Sequence, residues 1–366
     1  VDTDVSLSNQ SNTVQTLMTT FTAASMEEII ALPSAQQGTN SELQKLVGAI
    51  SRGSMNGASV ILMDDTVSYY NLDVMISSTR HAIQQLMTQT ITLSAARSSN
   101  GGGAWEVADS AAMVRQVTNG VIGSISSMSA STHLSTPTDV QNVLSKVVLP
   151  AVTACYNTFE ASSRDTIIGL AVKSFVQDVE TVASTSSLVS ASSDLMGITA
   201  ASVSEACVLL PIQELNAIQL QTVVETVYAS ALEAAEMSTI DTLTQTSIDL
   251  GSQFESVVNV IGQNDPVAMT KAAAAGMRKG LAATTTVELV TLVATFVDSL
   301  KALTDALAAS TALSTAASSA DLIDIAHVLT QEASIAADNF IATSATRVLN
   351  PQLLDSSLCV PNRLAL

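Results

Sequence analysis

The chain has 366 residues, of which 47% are hydrophobic, 13% charged and 3% aromatic, and its formal net charge is −19. This composition excludes an intrinsically disordered chain, because disordered chains are poor in apolar residues and rich in charge. The acidic balance argues against nucleic acids and anionic membranes as partners, since both bind cationic surfaces. We therefore expect a folded protein.

The N-terminal part of the chain, residues 1–97, is predicted to be helical. Apolar residues recur at three- and four-residue steps in 12–30, and the segment 39–50 places small polar residues before an acidic residue, as at a helix start. The stretch GASVILMDD, at 57–65, is the one place where a short strand competes with a helix. Asn9, in the sequon NQS, is a candidate glycosylation site.

A Gly-rich loop over 98–104 is expected to separate this region from a main helical domain at 105–350, followed by a tail at 351–366. His81 lies on an amphipathic stretch of the N-terminal region and could ligate a porphyrin-type metal. A surface or capped histidine is the simpler interpretation, and we expect no cofactor and no metal site.

Helical periodicity also dominates the main domain. Segments 164–182 and 286–307 each carry apolar residues on one face of a helix, and 136–147 begins with cap residues and Pro137. Aromatics are few and convincing alternating strands are absent. The sequence thus predicts an all-α array or bundle of roughly 10–15 short amphipathic helices.

Two pairs of segments align without gaps, which raises the alternatives of an internal duplication and of chance similarity in a biased composition. Residues 39–50 align on 136–147, and 174–182 align on 295–303. In the predicted domain plan these similarities place repeats near 136–198 and 286–325.

The nearest approach to a membrane span begins at Lys271, but three basic residues and Glu288 interrupt it, whereas a span needs roughly 20 apolar residues. No integral span is predicted. The same basic residues, Lys271, Arg278 and Lys279, share one helical face. We interpret them as a solvated face and not as a phosphate site.

The segment 306–329 resembles a Ser/Thr/Ala linker in one half and a buried helical stripe in the other. Leu307, Leu313, Leu322 and Ile323 are among the apolar residues expected to face the core on two helices joined near 315–321. Small side chains let helices approach closely and lose little rotamer entropy on burial. We expect tightly packed helices with a surface of uncharged hydroxyls.

The three cysteines, Cys155, Cys207 and Cys359, have no metal-binding spacing. In an oxidising compartment Cys155 and Cys207 form the simplest disulfide, which leaves Cys359 in the tail to link to a second chain. Three inert thiols are the alternative. Ser and Thr supply about a quarter of the chain, and the start VDTDVSLSNQS is typical of a processed mature end. Both features favour secretion, to the extracellular space or an organelle lumen.

No nucleophile elbow, zinc helix or phosphate-binding loop occurs. The expected function is therefore that of a secreted, non-enzymatic structural protein, a helical subunit of an extracellular fibre, coat or matrix. Its partners would be further copies of itself or another matrix protein. The alternative is a carrier of an apolar small molecule, a lipid or a pigment, in a cavity between helices. An enzyme with an unrecognised site is the least favoured interpretation.

Overall fold

The structure, a computed structural model, is described for most of the region from residue 39 to residue 349. The described residues are 39–62, 72–99, 105–129, 137–159, 163–183, 192–209, 215–235, 240–261, 265–284, 287–311 and 319–349, with the single positions 16, 20, 24 and 313. Asn9 and Cys359 lie outside them, so the predicted glycosylation and the predicted link to a second chain stay predictions.

Twelve α-helices and one 3₁₀ turn make up the described part, and no strand occurs in it. The helices are α1 (Asn40–Leu62), α2 (Leu72–Ser99), α3 (Val107–Ser129), α4 (Pro137–Ala154), α5 (Arg164–Ala183), α6 (Ser192–Val208), α7 (Ala217–Ala235), α8 (Ile240–Ser252), α9 (Phe254–Val260), α10 (Pro266–Ala283), α11 (Leu289–Ala309) and α12 (Ser319–Leu349), with the 3₁₀ turn at Tyr156–Thr158. The predicted all-α array is confirmed.

The helices form two layers in which each helix packs chiefly on the next but one along the chain. One layer contains α1, α3, α5, α7, α10 and α12, and the other contains α2, α4, α6, α8 and α11. The short α9 contacts α6 and α11. One hydrophobic core runs between the layers from Leu43 in α1 to Phe340 in α12.

Helix starts follow the cap residues that the sequence displays. At α1 the Glu42 carboxylate accepts a hydrogen bond from the Thr39 backbone N–H at 2.8 Å, and the Glu42 N–H donates to the Thr39 hydroxyl at 3.3 Å. This reciprocal pair is a capping box. At α10 the Asp265 carboxylate accepts from the Ala268 N–H at 2.9 Å, and Pro266 occupies the first turn.

The strand alternative at 57–65 is wrong for the residues that the structure describes. Residues 57–62 continue α1, and Met55, Ala58 and Ser59 are buried at the i, i+3 and i+4 spacing of one helical face. Residues 63–65 lie outside the described part.

Glycines set the closest contacts within each layer. A Cβ placed on Gly120 of α3 would lie 2.4 Å from the Gly48 carbonyl oxygen of α1, and one on Gly276 of α10 would lie 2.6 Å from the Glu225 oxygen of α7. Such distances leave no room for a methyl group. Layer packing therefore depends on backbones that touch, as the abundance of small residues predicts.

Serine and threonine are the polar residues of the interior as well as of the surface. Apart from Gln44 and Glu332, every buried polar residue of the described part is a Ser or a Thr. Many donate to the carbonyl four residues earlier in their own helix, as Thr90 does to Leu86 at 2.7 Å and Thr153 does to Leu149 at 2.8 Å. The structure thus adds buried hydroxyls to the hydroxyl surface that the sequence predicts, because the helix itself satisfies a buried hydroxyl.

The segments that align with each other in the sequence lie in different helices of the fold. The aligned segments 39–50 and 136–147 begin α1 and α4, and 174–182 and 295–303 lie in α5 and α11; each pair falls in opposite layers. The Gly-rich segment 98–104 begins at the last two residues of α2, and α1 and α2 pack on α3 and α4 across it. The duplication and the domain boundary stay predictions.

Candidate functional site

The two histidines that the structure describes lie on different helices. His81 is half-buried on α2, His327 is exposed on α12, and His133 lies outside the described residues. Within the described ranges no three His, Cys, Asp or Glu side chains converge as metal ligands would. None of the described helices combines the length and apolar character needed to cross a bilayer.

The Cys155–Cys207 disulfide is not present in the structure, where both thiols are free and buried. Cys155, after the last turn of α4, lies 3.5 Å from the Thr88 hydroxyl of α2 and donates to the Ala151 carbonyl. Cys207, on α6, instead lies beside Tyr228 of α7. The two sulfurs therefore point to different neighbouring helices, which the chain order alone did not reveal.

Burial makes both thiols chemically inert. Desolvation raises the pKa of Cys155 from 9.0 to about 11, although the hydrogen bond from Thr88 works against the rise. Full burial raises the pKa of Cys207 to about 12. Since the thiolate is the nucleophile and the metal ligand, neither cysteine is poised for catalysis or metal binding at neutral pH.

The basic cluster joins helices and does not form a simple solvated face. Arg278 donates from Nε to the Glu332 carboxylate of α12 at 2.8 Å, with side chains only 12% and 4% exposed. Lys279 pairs with Glu225 of α7 at a more exposed position. Lys271 and Lys279 are exposed as predicted, whereas Arg278 is mostly buried. The cluster therefore connects α10 to both of its neighbours in the layer.

The last hairpin, α11 and α12, has one packed side and one open side. Helix α11 packs on α8 through Ser299, whose hydroxyl lies 2.6 Å from that of Ser247, and the Phe296 ring meets Phe340 of α12 edge to face at 5.9 Å. No later helix of the described chain covers the opposite sides of α11 and α12. The hairpin therefore ends both layers of the described array.

The open side is apolar. Six of the nine large hydrophobic side chains that the described residues expose lie on this hairpin, with Val290 78% and Ile323 69% exposed. We call these six residues the end face: Val290, Val293, Val297, Leu322, Ile323 and Ile341. On α11 the three valines are spaced i, i+3 and i+7, which places them on one face of the helix. On α12, Ile323 and Ile341 are 18 residues apart, which is five full turns, so they also point to the same side.

The corrected positions are Leu322 and Ile323, which the sequence pattern assigned to the core. Both are exposed, at 55% and 69%, because α12 turns Ile325 and Glu332 towards the interior instead. One signal could have revealed this. Helix α11 carries a second apolar stripe beside its buried one, and a helix that is apolar on two sides needs a second partner.

Two exposed charged residues share the helical faces of the end face, because Lys301 follows Val297 by four residues and Asp338 precedes Ile341 by three. Exposed His327 likewise follows Ile323 by four residues.

The other charged residues lie beside the end face. Asp298 and Asp305 line a groove with Lys301 and Glu255, against α8 and α9. On α12, Asp324 follows Ile323 by one residue and so lies about 100° further around the helix. Thr304 and Ala308, which also continue the end face, are exposed and uncharged.

A groove between the two helices adjoins the end face. It has a volume of about 410 Å³ and is lined largely by aliphatic side chains. The lining residues that decide its character are Leu307, Leu313, Leu322, Ile325 and Leu329. The groove can accept an apolar side chain or a small apolar molecule, but it offers no charged group to a ligand.

Comparison with known proteins gives no relative from which to infer a function. No protein-family model matches the chain, and neither a curated protein nor a solved structure is significantly similar to it. What the protein does is therefore inferred from its own residues and their geometry.

Proposed function

We propose that the protein is a secreted, non-enzymatic structural protein that associates with further copies of itself, or with another matrix protein, in an extracellular fibre, coat or matrix. The end face is the observation that carries this proposal. Exposed aliphatic side chains concentrated on one side of a molecule are typical of an interaction surface.

The chemistry of the surface supports association in preference to catalysis. A surface with few charges loses little solvation free energy when another surface covers it. The buried thiols and the separated histidines offer no activated nucleophile or base within the described residues. The high Ser and Thr content and the low fraction of charged residues support the assignment to an extracellular or luminal material.

Light scattering coupled to size-exclusion chromatography tests the proposal on the natively purified full-length protein. We expect a mass of at least two chains at high concentration, and a further mass increase without reductant if Cys359 links chains. A mass of one chain at every concentration, with and without reductant, contradicts a self-associating protein.

The groove beside the end face favours a second function, the carriage of an apolar small molecule. Its volume, about 410 Å³, falls within the range of roughly 300–1,000 Å³ that is usual for ligand pockets. Organic-solvent extraction of natively purified protein, followed by mass spectrometry, tests this function. A stoichiometric lipid or pigment supports a carrier, and an empty extract contradicts it.

A further inference from the structure

We infer that the end face is the contact through which two copies of this chain associate, as a two-fold symmetric pair. The inference rests on the proposed function, in which the end face is an interaction surface whose partner is either a further copy of the chain or another matrix protein. It commits to a second copy as the occupant of the end face.

Continuity with the packing inside the molecule is the first reason. Each inner helix of a layer is covered on both sides by its layer neighbours, whereas α11 and α12 are covered on one side only. Leu292 and Phe296, on the covered side of α11, are buried, while Val293 and Val297, one residue further along, are exposed. A second hairpin placed on the end face would continue both layers.

The distribution of charge selects which surface two copies can bring together. With a formal net charge of −19, two copies repel each other wherever their acidic groups approach. The six residues of the end face are aliphatic, Lys301 and Asp338 lie at its margins, and Asp298, Asp305 and Asp324 lie further to its sides. In a two-fold pair the aliphatic side chains of both copies meet, and these carboxylates stay in water at the rim.

The size of the surface is sufficient for a reversible dimer. A helix of the length of α11 extends roughly 31 Å, and two packed helices are about 20 Å wide, which gives a flat area of about 600 Å² per copy. A standard specific interface covers about 800 Å² per partner. Because area does not set affinity by itself, we take the weak end of the range for specific interfaces, a micromolar dissociation constant, as the expectation for this small surface.

The test compares two double variants of the full chain that add the same charge at exposed aliphatic positions. Val297→Glu with Ile323→Glu places acids on the end face. The matched control, Ile218→Glu with Ile240→Glu, places them at the starts of α7 and α8, where the side chains are 74% and 46% exposed but lie off the end face. Circular dichroism and urea unfolding verify that both variants fold.

Sedimentation equilibrium at about 100 µM, above the expected dissociation constant, gives the decisive comparison. We expect wild type and control to form the same dimer, and the end-face variant to dissociate at least tenfold more readily. If wild type associates and the end-face variant associates equally well, the inference is overturned while the proposed function stands. If wild type is a monomer throughout, the inference is overturned together with the self-associating form of the proposed function, and only association with another matrix protein is left.

Hydroxyl-radical footprinting distinguishes a second copy from other occupants. Labelling of Leu322 and Ile323 should fall as the concentration of wild type rises. Equally weak labelling at all concentrations would mean that the chain itself or a bound molecule covers the end face, and this result also overturns the inference.

Discussion

The two sides of α10 are packed by different chemistry. Towards α7 the contact is made by Gly276 and Gly280, where a Cβ would lie 2.6–2.7 Å from backbone oxygens. Towards α12 the contact includes the buried pair of Arg278 and Glu332. A glycine contact fixes the distance between two backbones, whereas an ion pair between long side chains fixes it less closely. The α7 side of α10 also carries an ion pair, Lys279 with Glu225, but that pair is more exposed. The two sides therefore differ in whether the ion pair is buried and in whether glycines bring the backbones together.

Alkaline pH should weaken the packing around the two buried thiols, which lie next to Thr88 of α2 and Tyr228 of α7. The buried Cys155 and Cys207 have a raised pKa in the folded state, so each stabilises the fold fully below pH 9, and this stabilisation is lost as pH rises towards 11 or 12. Above pH 9 each thiol lowers the free energy of unfolding by about 1.4 kcal/mol per pH unit, so the two thiols together lower it by about 5 kcal/mol at pH 11.

Urea unfolding between pH 8 and 11 measures this loss. The double variant Cys155→Ala with Cys207→Ala is the control, because tyrosines and lysines titrate in both proteins. The variant should lose less stability with rising pH than wild type. If both proteins lose the same stability with rising pH, the two thiols are not buried as described.

Removing the Glu332 carboxylate should detach the terminal helix. Glu332→Ala leaves the Arg278 guanidinium buried without its partner, and the expected cost is about 3 kcal/mol. Glu225→Ala breaks the more exposed pair with Lys279 and should cost less than about 1 kcal/mol. Urea unfolding measures both costs, and hydrogen exchange of α12 should change only in Glu332→Ala. Equal costs would contradict a special role for the buried pair.

Two glycines that differ in their surroundings should respond to alanine with opposite signs. Gly120→Ala places a methyl group against the Gly48 carbonyl and should destabilise the fold by about 1–2 kcal/mol. Gly53→Ala meets nothing within 4 Å and should stabilise α1 by about 1 kcal/mol through helix propensity. Thermal unfolding of the two variants decides. If Gly120→Ala also stabilised the fold, α1 and α3 would be further apart than described.

The smallest effect is expected at the hydroxyl contact between α8 and α11. Ser299→Ala removes the partner of the buried Ser247 hydroxyl at 2.6 Å and should cost about 1 kcal/mol. The double variant Ser247→Ala with Ser299→Ala should lose less stability than the sum of the two single variants, because either single change already breaks the contact between the two hydroxyls. A double-mutant cycle in urea measures the coupling, and additive values would place the two hydroxyls in separate environments.

Local patterns in the sequence were enough to predict the helices. The segment 164–182 coincides with α5 at Arg164–Ala183, and 286–307 with α11 at Leu289–Ala309, because both depend on apolar spacing within one helix. Thr39 and Glu42 marked the start of α1 for a similarly local reason. Pro150, inside α4, was not anticipated; it lies in the last turns of the helix.

What the sequence did not reveal is which helix meets which. The separation of Cys155 from Cys207 and the pairing of Arg278 with Glu332 are decided by the order of helices in two layers. The end face was missed for the same reason. Val293 and Leu322 have the spacing of core residues, and only the absence of a covering helix in the described array makes them exposed.

The next-but-one packing has a mechanical consequence. Because every hairpin touches mainly the hairpins before and after it, the body behaves as a linear stack whose stability is a sum of local contributions. A pull along the stack should open it one hairpin at a time, beginning where a neighbour is missing. The terminal hairpin of such a molecule can unfold and refold while the other hairpins stay folded.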